Sequence, residues 1–524
     1  MGTTFEHLSD LLDRAASLHP DRVAVEDESG RALTYAALDQ AADRTAARLT
    51  RWGVGREDRV GLYLPKSLES VAAIHGILRS GAAYVPVDPT APPLRCASIL
   101  ADAHVRAVVT SAPLADEIRL HWPGPAGLPR LIVVGDARPA SSGDAHWSDV
   151  LNDDAPTPLI PPRHADDLAY ILYTSGSTGV PKGVMLSHAN ARCFLDWCDA
   201  ALGLRDGDRF SSHAPFHFDL SVFDLYACCR HAGTLCLIGE SLAKDPARLG
   251  AFLAEKTLDV WYSAPSILAL LSSHGGLERE GFPAPRVVLF AGEVFPIRHL
   301  QRLRSLWPDA ALWNLYGPTE TNVCTAFRIP DSIPSDRDVP FPIGPVCPPL
   351  TARVVDEEGR DLPPGTQGEL LISGPGVMRG YFRRPDLDAS VFVEDEHKRA
   401  WYRTGDLVIE SADSGFIFHG RRDRMIKKRG YRIELGEIES ALGRHDDVER
   451  VAVVASSDEA GVAVSAFVSM RPGRKGSIIA MKRHCTAYLP HYMVPDRIAF
   501  VSELPTTSTD KIDYQKLKNN KMLS

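Results

Sequence analysis

At 524 residues the chain is longer than one hydrophobic core organises, and its length points to roughly two to four domains or subdomains. A hydrophobic content of 44% and a charged content of 24% are those of a globular protein, and the net charge of −9 argues against nucleic-acid or anionic-membrane binding as a class. The nine cysteines show neither paired metal-ligand spacing nor a disulfide framework, the first ten residues hold no apolar signal-peptide core, and no stretch is as apolar as a spanning helix; a cytoplasmic location with reduced thiols is expected.

Apolar residues recur at helical spacing over residues 5–17 and again over Leu38–Trp52. A strand-like run (Val60–Leu64), an apolar helix (Val71–Leu78) and a strand (Ala83–Val87) follow. Further strands are expected at Ala107–Thr110, Arg130–Val134, Thr234–Ile238, Val260–Ser263 and Arg286–Ala291, with helical segments between them. That alternation predicts an α/β fold with largely parallel sheets. From about residue 340 short alternating segments split by turns such as Pro363-Pro364-Gly365 predict a small β-rich subdomain. The stretch 423–524 has its own strand and helix signals and is long enough for a separate C-terminal domain, leaving 1–422 as the larger N-terminal part.

The apolar run Leu168–Tyr173 ends in Thr174-Ser175-Gly176-Ser177-Thr178-Gly179-Val180-Pro181-Lys182-Gly183. Such a loop offers backbone N–H groups, hydroxyls and one mobile cation to a polyphosphate, although a Ser/Gly-rich turn is the plainer alternative. Its spacing is not that of a Walker A loop. Asn314-Leu315-Tyr316-Gly317-Pro318-Thr319-Glu320 gathers an aromatic face, a hydroxyl and a carboxylate at the end of a probable strand. Base stacking, phosphate contact and Mg²⁺ ligation are one reading of it, a capped turn the other. Asp406, just after Gly405, suits a ribose or an Asx-turn. The basic run 421–430 reads as a solvated face or as a hinge, and Lys511 in its polar loop reads by itself as a surface charge.

Order and spacing join these segments. The set resembles the adenylate-forming superfamily, and within it the amino-acid adenylation domains of non-ribosomal peptide synthesis. The resemblance runs from Leu33-Thr34-Tyr35 and Arg79–Asp88 through the loop at 173–183, Phe218-Asp219-Leu220-Ser221 and 314–320. It continues with Gly368-Glu369-Leu370, Arg379-Gly380-Tyr381, 402–407, 420–439, Leu489–Pro495 and the Lys511 loop. What it implies is a large N-terminal domain of two α/β sheet subdomains plus a small β-rich one, followed by a small mobile α+β domain. It implies a two-step reaction: a carboxylate attacks the α-phosphate of ATP, and the acyl-adenylate is then captured by the phosphopantetheine thiol of a carrier protein. By that resemblance Thr174, Ser175, Gly176, Ser177, Thr178, Gly179 and Lys182 hold the phosphates, Tyr316 stacks adenine, and Gly292, Glu293, Asn314 and Gly317 also belong to the ATP site. Thr319 touches the α-phosphate, Glu320 ligates Mg²⁺, Asp406 and Arg421 hold the ribose, and Lys511 bridges the substrate carboxylate and the nucleotide. Asp423 matches the hinge about which Lys511 swings out and the Gly430 region swings in. Asp510 stands where the family usually has glycine.

Asp219 matches the aspartate that pairs with the α-ammonium of an amino acid, a partner that a buried carboxylate needs. The matched lining of Asp219, Leu220, Phe223, Tyr262, Leu289, Ala291, Leu315, Val323 and Cys324 is otherwise apolar, with one phenol and one thiol. It resembles that of the free-standing proline-activating enzymes of pyrrole biosynthesis. L-Proline is therefore the expected substrate, with valine, leucine or pipecolate as alternatives, since one methylene discriminates by only ~1–3 kcal/mol. An acyl-CoA ligase and a catalytically silent nucleotide-binding module are the rival classes. No carrier-type Gly-Gly-x-Ser segment occurs, so a separate carrier protein is expected as partner, with neither nucleic acid nor membrane.

Overall fold

The computed structural model describes residues 6–123, 127–137, 139, 141–153, 163–176, 179–458, 461–506 and 512–518. Two eight-stranded sheets form the N-terminal part. Strands Arg59–Tyr63, Ala83–Pro86, Ala107–Ser111 and Arg130–Val134 run parallel in the first. Strand Leu168–Thr174 lies beside Ala83–Pro86 in the same sheet and turns back antiparallel into Lys182–Ser187. The second sheet sets Thr234–Leu237, Arg209–Ser212, Val260–Ser263, Val287–Ala291 and Ala311–Tyr316 side by side in parallel. Every residue of Val287–Ala291 is buried, as expected of a parallel strand covered on both faces.

The two sheets share one core. Helices Tyr35–Arg51, Leu68–Arg79, His188–Ala201 and Leu220–Arg230 contribute buried residues to it from between the sheets. Helix Leu68–Arg79 is apolar on all sides for that reason, and it starts where Ser67 and Ser70 exchange side-chain-to-backbone hydrogen bonds. The outer faces carry their own clusters, under Pro93–Asp102 and Ala112–His121 on the first sheet and under Pro246–Lys256, Pro265–His274 and Ile297–Leu306 on the second.

The β-rich part is a five-stranded antiparallel sheet built from Thr351–Val355, Gln367–Ser373, Phe392–Glu394, Ala400–Ser411 and Gly415–Arg421. The last part has the hairpin Met425–Lys428/Tyr431–Glu434, helix Leu435–Gly443 and a sheet of Val448–Asp458, Gly461–Met470 and Arg497–Val501. Helices Leu435–Gly443 and Ile478–Tyr488 cover one face of that sheet, and Leu504, Ile512 and Leu517 pack on the other. The fold is thus the mixed α/β one expected, a large N-terminal part followed by a small C-terminal one.

The basic run is not a solvated face. Its hairpin turns at Arg429 and Gly430, with φ of 54° and 81°, the two left-handed residues of a tight two-residue turn. The tip points into the N-terminal part. Among the described residues no helix is long and apolar enough to cross a membrane.

Candidate active site

The carboxyl ends of the parallel strands gather at one place, where open α/β sheets bind ligands. Tyr316 closes strand Ala311–Tyr316, and the chain reverses at Gly317, where a Cβ would come 1.6 Å from the Asn322 carbonyl oxygen. Only glycine fits there, and the reversal delivers Thr319 and Glu320. Asn314 is tied by its amide to the Pro342 carbonyl at 2.8 Å. Gly292, in the left-handed region, and Glu293 follow Val287–Ala291.

Glu320 is fully buried and surrounded by donors. Arg432 gives Nη1 to both its oxygens at 3.1 and 2.8 Å, Tyr381 donates its hydroxyl at 2.6 Å, and Lys182 lies 3.5 Å away. Desolvation pushes this carboxyl up, but Arg432 and Lys182 outweigh it and hold the group far below the usual range, so it is ionised. Lys182 also bonds the Tyr381 hydroxyl at 2.8 Å, and desolvation lowers its pKa while Glu320 opposes the shift.

Asp406 accepts from the Tyr316 hydroxyl and from Arg421 at 2.6 Å. Arg421 grips Asp423 through Nε and Nη2, both at 2.7 Å, which couples the ribose-type carboxylate to the start of the C-terminal hairpin. Thr319 donates to Asp219 at 2.9 Å, so this hydroxyl is engaged with that carboxylate. Asp219 stands at the N-terminal end of helix Leu220–Arg230. Desolvation raises its pKa, and the Thr319 hydroxyl and the charge of Lys427 moderate the rise.

Behind Asp219 the wall is apolar. Phe223 meets Tyr262 edge-on at 5.6 Å, Tyr262 pairs with Leu289 across neighbouring strands, and Ala291 pairs with Leu315. Phe223, Tyr262, Leu289, Ala291, Leu315 and Val323 share one cluster, with Leu220 half-buried against it. Cys324 is placed differently: it packs with Tyr316 in a separate cluster.

In the phosphate-type loop, Thr174 ends its strand with a buried Oγ1 that has no partner among the described residues. Ser175 donates to the Arg432 carbonyl at 3.0 Å, and a Cβ at Gly176 would lie 2.1 Å from the Val180 carbonyl oxygen. Gly179 faces Ser440 of helix Leu435–Gly443. Ser177, Thr178 and Lys511 lie outside the described residues.

The hairpin supplies what sequence reasoning missed. The Gly430 amide donates to Glu293 at 2.8 Å, Tyr431 meets Phe218 edge-on at 4.8 Å, and Arg95 pairs with Glu437. Lys427 reaches 5.7 Å from the centre of the Tyr316 ring. Desolvation lowers its pKa, while the charges of Asp406 and Asp219 oppose the shift. Its signal in the sequence was a short apolar pair, Met425-Ile426, inside the charged run bounded by Gly420 and Gly430. Tyr381 was visible only as part of the Arg379-Gly380-Tyr381 segment.

The described residues thus bring together a buried, ionised carboxylate flanked by cations, a second desolvated carboxylate before an apolar wall, and a loop rich in hydroxyls and glycine. Those are the parts of an enzyme that binds a nucleoside triphosphate and activates a carboxylate, and the chain belongs to the AMP-binding enzyme family. It matches that family over residues 12–382 and the AMP-binding enzyme C-terminal domain over residues 437–511. It is 40% identical over 496 residues to an L-proline--[L-prolyl-carrier protein] ligase of Pseudomonas fluorescens, covering 94% of this chain and 95% of that one. A ligase of the same description from Streptomyces coelicolor is 37% identical over 498 residues, covering 93% and 91%. Among solved structures, the amide bond synthetase McbA from Marinactinospora thermotolerans superposes with a TM-score of 0.85 at 25% identity, covering 98% of this chain and 99% of that one.

Proposed function

We propose that this enzyme activates L-proline with ATP and Mg²⁺ and passes the prolyl group to the phosphopantetheine thiol of a separate carrier protein, in the cytoplasm. In the first step a carboxylate oxygen of proline bonds to the α-phosphorus, and pyrophosphate leaves. In the second the thiol, giving up its proton, bonds to the carbonyl carbon and AMP leaves. The observation that carries this reading is Asp219, a desolvated carboxylate answered among the described residues by the Thr319 hydroxyl, the Leu220 amide and the charge of Lys427, set before an apolar wall. An α-ammonium group completes it, and a secondary ammonium with three methylenes suits both the charge and the wall. The likeness to the two prolyl ligases supports the same substrate.

Glu320 fits a magnesium ion: that cation is held by one or two carboxylates together with substrate phosphates, and Glu320 is a single, ionised, buried carboxylate beside Lys182. When bound, the ion neutralises the departing pyrophosphate. Tyr316 then presents its face to adenine, and Asp406 with Arg421 holds the ribose. Thr174, Ser175, Ser177, Thr178 and Lys182 bind the phosphates, and Lys511 brings the substrate carboxylate to the α-phosphorus. We read 1–422 and 423–524 as the two domains, hinged at Asp423, and the inserted hairpin as the arrangement for thiol transfer.

Exchange of labelled pyrophosphate into ATP across the proteinogenic amino acids, pipecolate and pyrrole-2-carboxylate tests the substrate. A dominant L-proline signal is expected; a leading leucine or valine signal overturns the substrate, and silence overturns amino-acid activation. Gly430→Ala tests the hairpin. A Cβ there would approach the Ala264 Cβ to 3.1 Å from a backbone at positive φ. Transfer to the carrier should fall about tenfold, for a strain of about 1–2 kcal/mol, with pyrophosphate exchange within about twofold of wild type. Equal losses in both would remove the hairpin from the transfer step.

A further inference from the structure

Three groups converge on the buried carboxylate of Glu320: the Arg432 guanidinium, the Tyr381 hydroxyl and, at 3.5 Å, the Lys182 ammonium. Arg432 arrives as part of a docked unit. Its own carbonyl accepts from Ser175, the neighbouring Gly430 amide holds Glu293, and Glu437, on the helix that follows, holds Arg95. Its guanidinium therefore enters and leaves the site with the hairpin. With both oxygens of Glu320 engaged by Nη1, a divalent cation on that carboxylate would lie against a guanidinium, with Lys182 as a third positive charge in a site shielded from water. Like charges that close repel strongly at low dielectric. The carboxylate has room for one of them.

We propose that Arg432 is a positioning residue that competes with the divalent cation for Glu320, so that the hairpin docks only after the cation and pyrophosphate have left. This rests on the reading of Glu320 as the cation-binding carboxylate. Arg432 takes the vacated anion, restores its charge balance and fixes Gly430 and Lys427 for the second step. Premature docking is disfavoured while the cation is bound, and the anion is not left unpaired afterwards.

The test is binding of α,β-methylene-ATP to the full chain, with Mg²⁺ and in EDTA, together with hydrogen exchange of the amides in 425–434. In Arg432→Gln the Mg²⁺ complex should bind about tenfold tighter than in wild type, the factor expected if a competing docked state is favoured by about 10:1. In EDTA the two should agree within about twofold. Adding the Mg²⁺ complex to wild type should speed exchange in 425–434, and in the variant that exchange should already be fast. Arg432→Lys, which keeps the charge, should bind the Mg²⁺ complex less tightly than Arg432→Gln. A gain in affinity is not what a misfolded protein gives. Mg²⁺-complex affinity in Arg432→Gln equal to or below wild type overturns the competition, whatever its melting temperature. Wild-type binding that ignores Mg²⁺ overturns the assignment of Glu320 as well, which distinguishes the two failures.

Discussion

Replacing Asp219 with alanine should lower kcat/KM for the amino acid in pyrophosphate exchange by about 10²- to 10⁴-fold, while affinity for ATP stays within about twofold. The size follows from leaving one half of a buried pair without the other, about 3–5 kcal/mol when the missing charge is not replaced. The substrate ammonium would then face Phe223, Tyr262 and Leu289, which offer it no carboxylate. The free enzyme should respond in the opposite sense. Desolvation raises the Asp219 pKa, so the ionised carboxylate destabilises the empty fold at neutral pH, and its removal should leave the melting temperature unchanged or higher. The pH profile gives a second check. The ammonium partner must be a carboxylate, and its folded pKa lies above the usual aspartate value; kcat/KM for the amino acid should therefore be full at neutral pH and fall on acidification through that raised pKa. Asp219→Asn should lack this acid limb. Equal losses in amino-acid and ATP affinity would remove Asp219 from the ammonium site.

Much of this was legible in the sequence because its signals are local. Strand Val260–Ser263 lies where its apolar run puts it, and helix Tyr35–Arg51 lies over the helical spacing of Leu38–Trp52. The motif residues Lys182, Asp219, Tyr316, Thr319, Glu320, Asp406 and Arg421 come from separate stretches of chain, yet the fold brings them around one site. What the sequence concealed depends on contacts between distant elements. Thr319 bonds Asp219 rather than waiting for a phosphate, and Cys324 turns towards Tyr316 instead of joining the Phe223 wall. Arg432 and Lys427 belong to a run with so many charges that solvation was the natural reading. Their burial is explained by Glu320, Asp406 and Asp219, whose positions are set elsewhere in the chain.

Lys511→Ala should reduce adenylate formation by about 10²- to 10³-fold and leave transfer from supplied prolyl-AMP largely intact. The first half follows from removing a cation aimed at charge that develops in the reaction, a loss of about 2.7–4 kcal/mol where such donors have been deleted. The second half follows from the described residues that flank Lys511. Thr506 and Ile512 form a β-bridge, and Ile512 packs with Leu504 and Leu517 against Ala452, Val454 and Phe467. Val453, between two of those residues, points to the other face of the sheet, towards Ile438 and Leu442 of the helix that begins beside the phosphate-type loop. The Lys511 flanks and the docked helix thus occupy opposite faces of one three-stranded sheet. On the two-domain reading proposed above, with the hairpin seated on Glu293 and Glu320, Lys511 would reach the nucleotide only after the C-terminal part rotates. Gly430→Ala and Lys511→Ala should consequently damage different half-reactions. Mixing the two variants should not restore turnover, because prolyl-AMP made on one molecule would have to leave it before another could use it. Release of free prolyl-AMP would instead allow partial complementation, and single-turnover quenching with a carrier added in excess measures which occurs. Damage to both half-reactions by Lys511→Ala would mean that the lysine holds the C-terminal fold together, and its assignment to the first step would fall.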